Sequence, residues 1–389
     1  MERKSSGDGM RIVMVVTNPF KPDPRVYKEA KSLAKYGHDV YVIAWDREGK
    51  YPKEEKVEGF KVIRVGPKAE YGPLMAVKLP LFYLNAFKII LKLKPDAIHT
   101  HDFDTAVLGF IFKKLKKTMW VYDVHDLYFT FFSMEGRRNI IGEIIRKLDL
   151  LIAKHPDVLI VATQSIGGKY KGVREYYIKH GIFPEKTITI WNVPDADIFL
   201  NYSKLVLKKS KKFTIGFIGG QRTISNFIPL FEAVKDKSHI YKILFVGEGK
   251  NTGDLKMLVR EKYSELDIEF IGNVDYRLIP NYYKLCDVIF AWYPPRENIE
   301  RAIAIKVFEA AVMGIPSIVN ANTLMEDFVE EYRCGVAIKK LKSDYLKQAL
   351  DLIRSRKLKF NPAKIAKKWN WKNEERKMVI IYAQSPDTN

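Results

Sequence analysis

Lys306-Val307-Phe308-Glu309-Ala310-Ala311-Val312-Met313-Gly314-Ile315-Pro316 is the most informative stretch of the chain. It reads as the body of a helix, Ala302 to Met313, stopped by Gly314. Pro316 then opens a strand, Ser317 to Val319. Lys306 and Glu309 are i, i+3, so they share one side of that helix. One reading of the two is an ordinary surface ion pair. The other puts the ammonium on a diphosphate and the carboxylate on the hydroxyl pair of a ribose.

The same alternation extends outward in both directions. Towards the C-terminus come helical patterns at Asp344 to Arg354 and Ala363 to Tyr382. Towards the N-terminus, Phe213 to Ile218 is a strand ending at Gly219-Gly220, Phe227 to Val234 is helical, and Ile243 to Val246 is a strand ending at Gly247-Glu248-Gly249. Strands at Ile268 to Ile271 and Val288 to Trp292 complete that half. In the first half, strand patterns fall at Arg11 to Val16, Asp39 to Ala44, Phe60 to Val65, Asp96 to His99, Thr118 to Asp123, Val158 to Ala162 and Thr187 to Trp191. Helical patterns between them include Thr105 to Lys116, Ile140 to Ala153 and most of Leu74 to Leu93. Continuous apolar strands separated by helices predict parallel sheets covered on both faces. The expected fold is α/β, with two doubly wound Rossmann-like domains, residues 1–205 and 206–360, joined near the lysine run Lys204 to Lys212. Ligands of such sheets bind at the carboxyl ends of strands and at helix N-termini, which places the site in a cleft between facing domains.

Composition bounds the alternatives. The 389 residues suit two domains at about 150 residues each. An apolar fraction of 47% excludes wholesale disorder. Two cysteines, Cys286 and Cys334, argue for a reducing compartment. Lys+Arg 66 against Asp+Glu 46 leaves +20, which suits phosphate-bearing substrates, an anionic membrane or nucleic acid. No zinc-ligand spacing or RNA-binding signature supports the last. Only four glutamines among abundant Lys and Glu is a composition of thermophile proteins. No transmembrane helix or signal peptide is expected, which predicts a cytoplasmic protein or one peripheral on the inner face of the membrane. Leu127 to Phe132 with Arg137 and Arg138, and the Leu74 to Leu93 stretch, are the segments suited to an anionic membrane, with core packing as the alternative for both.

Several motifs follow strands. Asp23-Pro24-Arg25 opens the first helix, with Asp23 as cap and Pro24 at the first helical position. Capping does not explain Arg25, which is expected at the carboxyl end of the sheet. His101-Asp102-Phe103-Asp104 superficially resembles a metal-binding DxD, but Asp104 as the cap of a helix starting at Thr105 is the preferred reading. Tyr122-Asp123-Val124-His125-Asp126 ends a buried strand, and a His flanked by carboxylates there suits a hydroxyl or phosphate. Gly219-Gly220-Gln221-Arg222 brings backbone amides and a permanent phosphate donor together.

Taken in order, these segments resemble the GT-B glycosyltransferases, most closely the retaining family 4 (group 1). The resemblance runs nearly end to end. It is carried by Asp23-Pro24-Arg25-Val26 with Gly37-His38-Asp39-Val40, His99-Thr100-His101-Asp102, Tyr122 to Asp126, Asn192-Val193-Pro194-Asp195, Val246 to Gly249, Phe270 to Val274, Glu309-Ala310 to Pro316, and Trp371. It implies transfer of a sugar from a nucleotide diphosphate donor (UDP- or GDP-sugar) with retention, to a lipid-linked, glycan or polysaccharide acceptor. No metal and no cofactor beyond the donor is implied. Arg222 and Lys306 would hold the diphosphate, Glu309 the ribose, and Gly219, Gly220, Gly247, Glu248 and Val274 would line the donor pocket. Arg25, Asp102, His125 and Asp126 would belong to the acceptor side, with His125 over the donor sugar as a catalytic group beside Arg222 and Lys306. The terminal helix, 361–389, would cross back to the N-terminal domain. Two departures stand out: Arg301 occupies the position of the family's first paired glutamate, and Ala302-Ile303-Ala304 replaces its Gly-rich turn. Two further readings are a sugar-nucleotide binder without transferase activity, motivated by Arg301, and a basic nucleic-acid-binding protein, motivated by charge alone.

Overall fold

The computed structural model describes residues 9–21, 23–69, 73–132, 139–355 and 358–383. Contacts divide the chain into two units. The first comprises residues 1–164, 173–192 and 372–389, and the second 165–172 and 193–371.

The first unit carries β1 (Arg11–Val15), β2 (Asp39–Ala44), β3 (Glu54–Val57), β4 (Phe60–Arg64), β5 (Ala97–His101), β6 (Met119–Val124), β7 (Val158–Val161) and β8 (Thr187–Thr189). They form one sheet in the order β3-β4-β2-β1-β5-β6-β7-β8, parallel except for the β3–β4 hairpin at one edge. Every residue of β5 and β6 is buried, as a strand covered on both faces requires. The covering helices are α1 (Pro24–Lys35), α2 (Pro73–Leu93), α3 (Phe103–Lys116), α4 (Ile140–Ile152) and α5 (Val173–Lys179). The expected start of α1 holds: Pro24 is its first residue, and Asp23 accepts from the Val26 amide at 3.1 Å. The expected cap of α3 does not. That helix begins at Phe103, and Asp104 lies inside its first turn, accepting the Thr17 hydroxyl instead.

The second unit contains α6 (Ala196–Leu200), β9 (Phe213–Ile218), α7 (Ile228–Val234), β10 (Tyr241–Val246), α8 (Thr252–Lys262), β11 (Asp267–Phe270), α9 (Ile279–Tyr283), β12 (Val288–Ala291), α10 (Glu297–Arg301), α11 (Ile305–Val312), β13 (Ser317–Asn320), α12 (Leu324–Tyr332), β14 (Gly335–Ile338), α13 (Ser343–Arg354) and α14 (Pro362–Lys368). Its sheet is wholly parallel in the order β11-β10-β9-β12-β13-β14. Counted within the unit this is 3-2-1-4-5-6, the doubly wound order. The last helix, α15 (Trp371–Ala383), belongs to the first unit. Its Glu374 accepts from the Trp191 amide at 3.0 Å, and its Tyr382 hydroxyl meets His99 Nδ1 at 3.0 Å.

The division therefore falls after Asn192, not at 205, and before Lys372, not at 361. The reason is local packing. Phe199 is buried against Tyr276 and Tyr283, and the Trp369 ring packs on Phe308 and Phe328. The lysine run is no free linker either. Lys209 pairs with Asp287 at 2.8 Å and Lys212 with Asp267 at 3.0 Å, both on the second unit. No helix among the described residues is long and apolar enough to cross a membrane.

Candidate functional site

In an open parallel sheet the loops that diverge where the strand order reverses leave a crevice at the carboxyl ends. In the second unit that point lies between β9 and β12. The loop after β9, Gly219 to Arg222, meets the loop after β10, Gly247 to Gly249, backbone to backbone. A Cβ on Gly249 would lie 2.5 Å from Gln221 backbone atoms, and one on Gly247 3.2 Å from Gly219. Gly219 and Gly247 have φ of 127° and 102°, which disfavour a side chain at both positions. Gln221 ties the two loops together. It is fully buried, donates to the carbonyls of Gly219 (3.0 Å) and Gly247 (3.1 Å), and accepts from Thr252 Oγ1 at 2.6 Å.

Lys306 lies in the first turn of α11, whose N-cap residue Ala304 offers no side-chain cap. The lysine is 8% exposed, and its Nζ stands 3.7 Å from the Phe217 ring centroid. A Cβ on Gly219 would lie 3.2 Å from that Nζ, so the amine is against the glycine turn. Burial pushes its pKa down to about 7; Glu309 opposes the shift and Arg222 adds to it. Arg222 itself is exposed, with no ion pair among the described residues. The turn thus carries two cations that repel each other. Glu309 does not pair with Lys306 at hydrogen-bond distance. It is buried, with Oε1 accepting from the Tyr276 hydroxyl (2.7 Å) and Oε2 from the Tyr283 hydroxyl (2.6 Å). Glu248 is exposed and 3.9 Å from Lys256, and Val274 is half-buried beyond β11. Arg301 ends the short α10, with Nη2 3.4 Å from Glu297 Oε1.

In the first unit a second group gathers after β5 and β6. Arg25 is 4% exposed. Its Nε and Nη2 grip Asp123 at 2.9 and 2.7 Å, its Nη1 donates to the Ile190 carbonyl at 2.9 Å, and Glu29 lies 3.1 Å away. Arg25 is therefore not a ligand-facing group, which corrects the acceptor-side expectation. Its donors are consumed by buried partners, and it acts by fixing Asp123. Asp123 in turn holds His125, Nε2 to Oδ2 at 3.0 Å, and that same Nε2 is 3.0 Å from His101 Nδ1. Burial disfavours a charged His125, but Asp102 and Asp123 outweigh it and push its pKa up to about 10. His125 is thus a cation whose side chain keeps 19% exposure. Asp102 holds this turn together, accepting the amides of His125 (2.9 Å) and Asp126 (3.3 Å). Its own φ of 61° marks a backbone held in a sparsely populated region. Burial pushes the Asp102 carboxyl up to about 7.

Glu29, His99, His101 and Asp123 place potential metal-ligand atoms within 4.8 Å of one another, all buried. The Arg25 guanidinium already contacts both carboxylates, so the cation this group calls for is supplied by the protein.

Comparison with known proteins bears on what these two groups serve. Residues 25–197 match the family described as Glycosyltransferase Family 4, and residues 201–369 match Glycosyl transferases group 1. The chain belongs to the group 1 glycosyltransferases of GT-B fold. It is 22% identical over 328 residues to the alpha-monoglucosyldiacylglycerol synthase of Acholeplasma laidlawii, covering 80% of this chain and 79% of that one. Among solved structures it is similar to sucrose-phosphate synthase from Thermosynechococcus elongatus, with a TM-score of 0.77, 17% identity, and coverage of 96% and 98%. It is also similar to Anabaena HepE in complex with UDP and glucose, with a TM-score of 0.71, 14% identity, and coverage of 97% and 100%. The protein is a glycosyltransferase using a nucleotide-sugar donor.

Several residues of this glycosyltransferase's two groups escaped the sequence reading. Gln221 stood inside the quoted motif, but only its burial between two carbonyls shows its part. Tyr276 and Tyr283 lie 33 and 26 positions from Glu309 and carry no local signal. Glu29 and His99 reach their partners only through the sheet.

Proposed function

We propose that this glycosyltransferase is a retaining, metal-independent enzyme that moves a hexose from a UDP- or GDP-sugar to a lipid-linked acceptor, working as a peripheral protein at the cytoplasmic membrane face. The observation that carries this reading is the Lys306 amine packed against Gly219, with Arg222 in electrostatic reach. We assign the donor diphosphate to this turn: its amides, the uncapped start of α11 and two cations suit the charge that develops on a departing diphosphate. Fixed cations aimed at that charge do the work for which other transferases use a divalent ion. Glu309, oriented by Tyr276 and Tyr283, is assigned to the ribose as an acceptor of its hydroxyls. His125, cationic and held by Asp123 and Asp102, is assigned to the acceptor half with Asp126.

The name of the Acholeplasma relative, a monoglucosyldiacylglycerol synthase, supports a glycerolipid acceptor, and the UDP of the HepE complex supports a uridine donor. The test supplies UDP-glucose, UDP-galactose or GDP-mannose with diacylglycerol-containing vesicles, with and without EDTA. The expected outcome is labelled lipid product unaffected by EDTA, with the donor's anomeric configuration kept by NMR. Product abolished by EDTA would end the metal-free assignment, and an inverted product the retaining one. Nucleotide binding without turnover on any acceptor would favour the binder reading that Arg301 motivates.

A further inference from the structure

Helix α4 is apolar on both sides. Gly142, Ile145, Asp149 and Ile152 turn towards the sheet and its core. Ile140, Ile141, Ile144, Leu148 and Leu151 turn outward, exposed by 81, 55, 52, 45 and 56%. At about 100° per residue these five span an arc of roughly 100°. Lys147, exposed, follows about 20° further round the helix surface, and exposed Lys154 stands two residues past the end of the helix. Beside the helix, Phe131 is 52% exposed. A row of large aliphatic side chains in water has an energetic cost that scattered ones do not, and it marks an interaction surface.

The arc does not stand alone. The rings of Phe87 of α2 and Phe112 of α3 meet tilted at 5.0 Å between centroids, and α3 shares a core with α4, so the three helices form one layer over the sheet. The outward side of α2 repeats the pattern: Val77, Leu81, Leu84 and Leu91 are exposed, interleaved with exposed Lys88 and Lys92. At the far end of α4, Lys114, Lys154 and Lys186 all raise the potential around His155, adding to burial in lowering its pKa. Carboxylates are missing from the pattern. Residues 73–93 contain no acidic residue. On α4, Glu143 is engaged by Arg146, and Asp149 is buried under Tyr122 and Tyr177.

We infer that the outward side of the α2–α4 layer docks on an anionic phospholipid bilayer, with the α4 isoleucines and leucines entering the acyl boundary and the flanking lysines meeting the head groups. Charge selects this occupant. A second copy of the same surface would set lysines against lysines with no carboxylate to answer them, whereas an apolar interior under anionic head groups answers both features. The aromatic stretch Leu127 to Phe132 contributes less than its sequence suggests, because Leu127 and Phe129 are core residues and only Phe131 projects. Arg137 and Arg138 lie outside the described residues. The inference rests on the lipid-acceptor reading for its biological sense, but its test does not.

The test is flotation of the full chain with vesicles of phosphatidylcholine alone or with phosphatidylglycerol, at low and high salt. Light scattering in solution and the melting temperature with and without UDP are measured in parallel. Binding is expected to phosphatidylglycerol vesicles and to weaken with salt. Two lysines near the surface account for about 30-fold in partitioning, so Lys147→Ala with Lys154→Ala should lose that much. Ile144→Glu with Leu148→Glu should abolish binding, with the UDP-induced thermal shift unchanged in both variants. Wild-type protein that stays with phosphatidylcholine and phosphatidylglycerol alike in the unbound fraction overturns the inference. So does a stable dimer that the Ile144→Glu, Leu148→Glu variant turns into a monomer. Vesicle binding without any UDP shift would instead sink the donor reading and leave this surface standing.

Discussion

Nucleotide binding should take up a proton at Lys306. The amine is 8% exposed, packed on Phe217, and repelled by Arg222, which together hold its pKa near 7. At pH 8 about nine-tenths of a group with that pKa is uncharged. A diphosphate placed beside it favours the charged form and restores a pKa well above 8. Binding at pH 8 should therefore draw in about 0.9 proton, and at pH 7 about 0.5. Affinity should fall by a factor approaching ten per pH unit above 7, or about 1.4 kcal/mol. The phosphate's own last proton, with a pKa of about 6, is already gone in this range. Isothermal calorimetry with UDP in buffers of different ionisation enthalpy, from pH 7.5 to 9, reads the proton count directly. Lys306→Met should bind more weakly and without pH dependence; Lys306→Arg should bind without it because the guanidinium does not titrate. Uptake near zero at pH 8, or a wild-type slope shared by Lys306→Met, would refute the reasoning. The sign for the unliganded protein is the opposite of a stabilising pair. The folded pKa lies below the unfolded 10.5, so the cost of burying the cation is complete below pH 7 and is relieved as pH rises towards 10.5. Lys306→Met should remove that rise.

Two further predictions concern the first unit. Arg25→Met leaves Glu29 and Asp123 buried without the guanidinium between them, with only His125 still on Asp123, and should destabilise the protein by about 3–5 kcal/mol in urea unfolding, with part restored by adding Glu29→Gln; an effect under about 1 kcal/mol would mean water reaches the cluster. Asp149→Ala strands the hydroxyls of Tyr122 and Tyr177 in the core and should cost about 2–4 kcal/mol by the same measurement. Burial holds the Asp149 carboxyl at about 6, so its contribution to stability is complete below its unfolded pKa and is lost as pH rises through 6; Asp149→Asn should flatten that part of the stability profile.

Periodicity made the two doubly wound sheets legible, because strands buried on both faces are continuous apolar runs and the helices between them repeat every three or four residues. Glycine and proline punctuation placed Asp23-Pro24, Gly219 and Gly247 at strand ends. The β3–β4 hairpin was missed because Glu54-Glu55-Lys56-Val57 is polar, as an exposed edge strand can be. Helix α12 was missed although Thr323 and Glu326 stand at the spacing of a capping box, and Thr323 does cap it. What no local pattern could yield is pairing across the sheet. Arg25 and Asp123 are 98 positions apart, and nothing near Arg25 indicates that a carboxylate will consume it. A strand-end arginine looks like a ligand donor until its partner is known.

That contrast separates the two charged groups. In the first unit the charges of this group face counter-charges within it: Arg25 against Asp123 and Glu29, His125 against Asp123 and Asp102. Its charges are balanced without a ligand, although Glu29, His99 and His101 keep buried side-chain atoms with no hydrogen-bond partner among the described residues, and what it presents outward is one partly exposed imidazolium in a fixed orientation. In the second unit the carboxylate that could neutralise Lys306 is held by Tyr276 and Tyr283, and the neighbouring Arg222 only adds to the positive potential. Burial, with Arg222 adding to it and Glu309 opposing it, lowers the lysine's pKa, as expected of a cation removed from water without a hydrogen-bonded counter-charge. A closed network suits positioning, and an open one suits capture of a diphosphate. On the proposed reading the tyrosine pair therefore serves the donor site alongside the lysine. Tyr276 and Tyr283 fix the orientation of Glu309, which on the proposed reading faces the ribose while Lys306 faces the diphosphate.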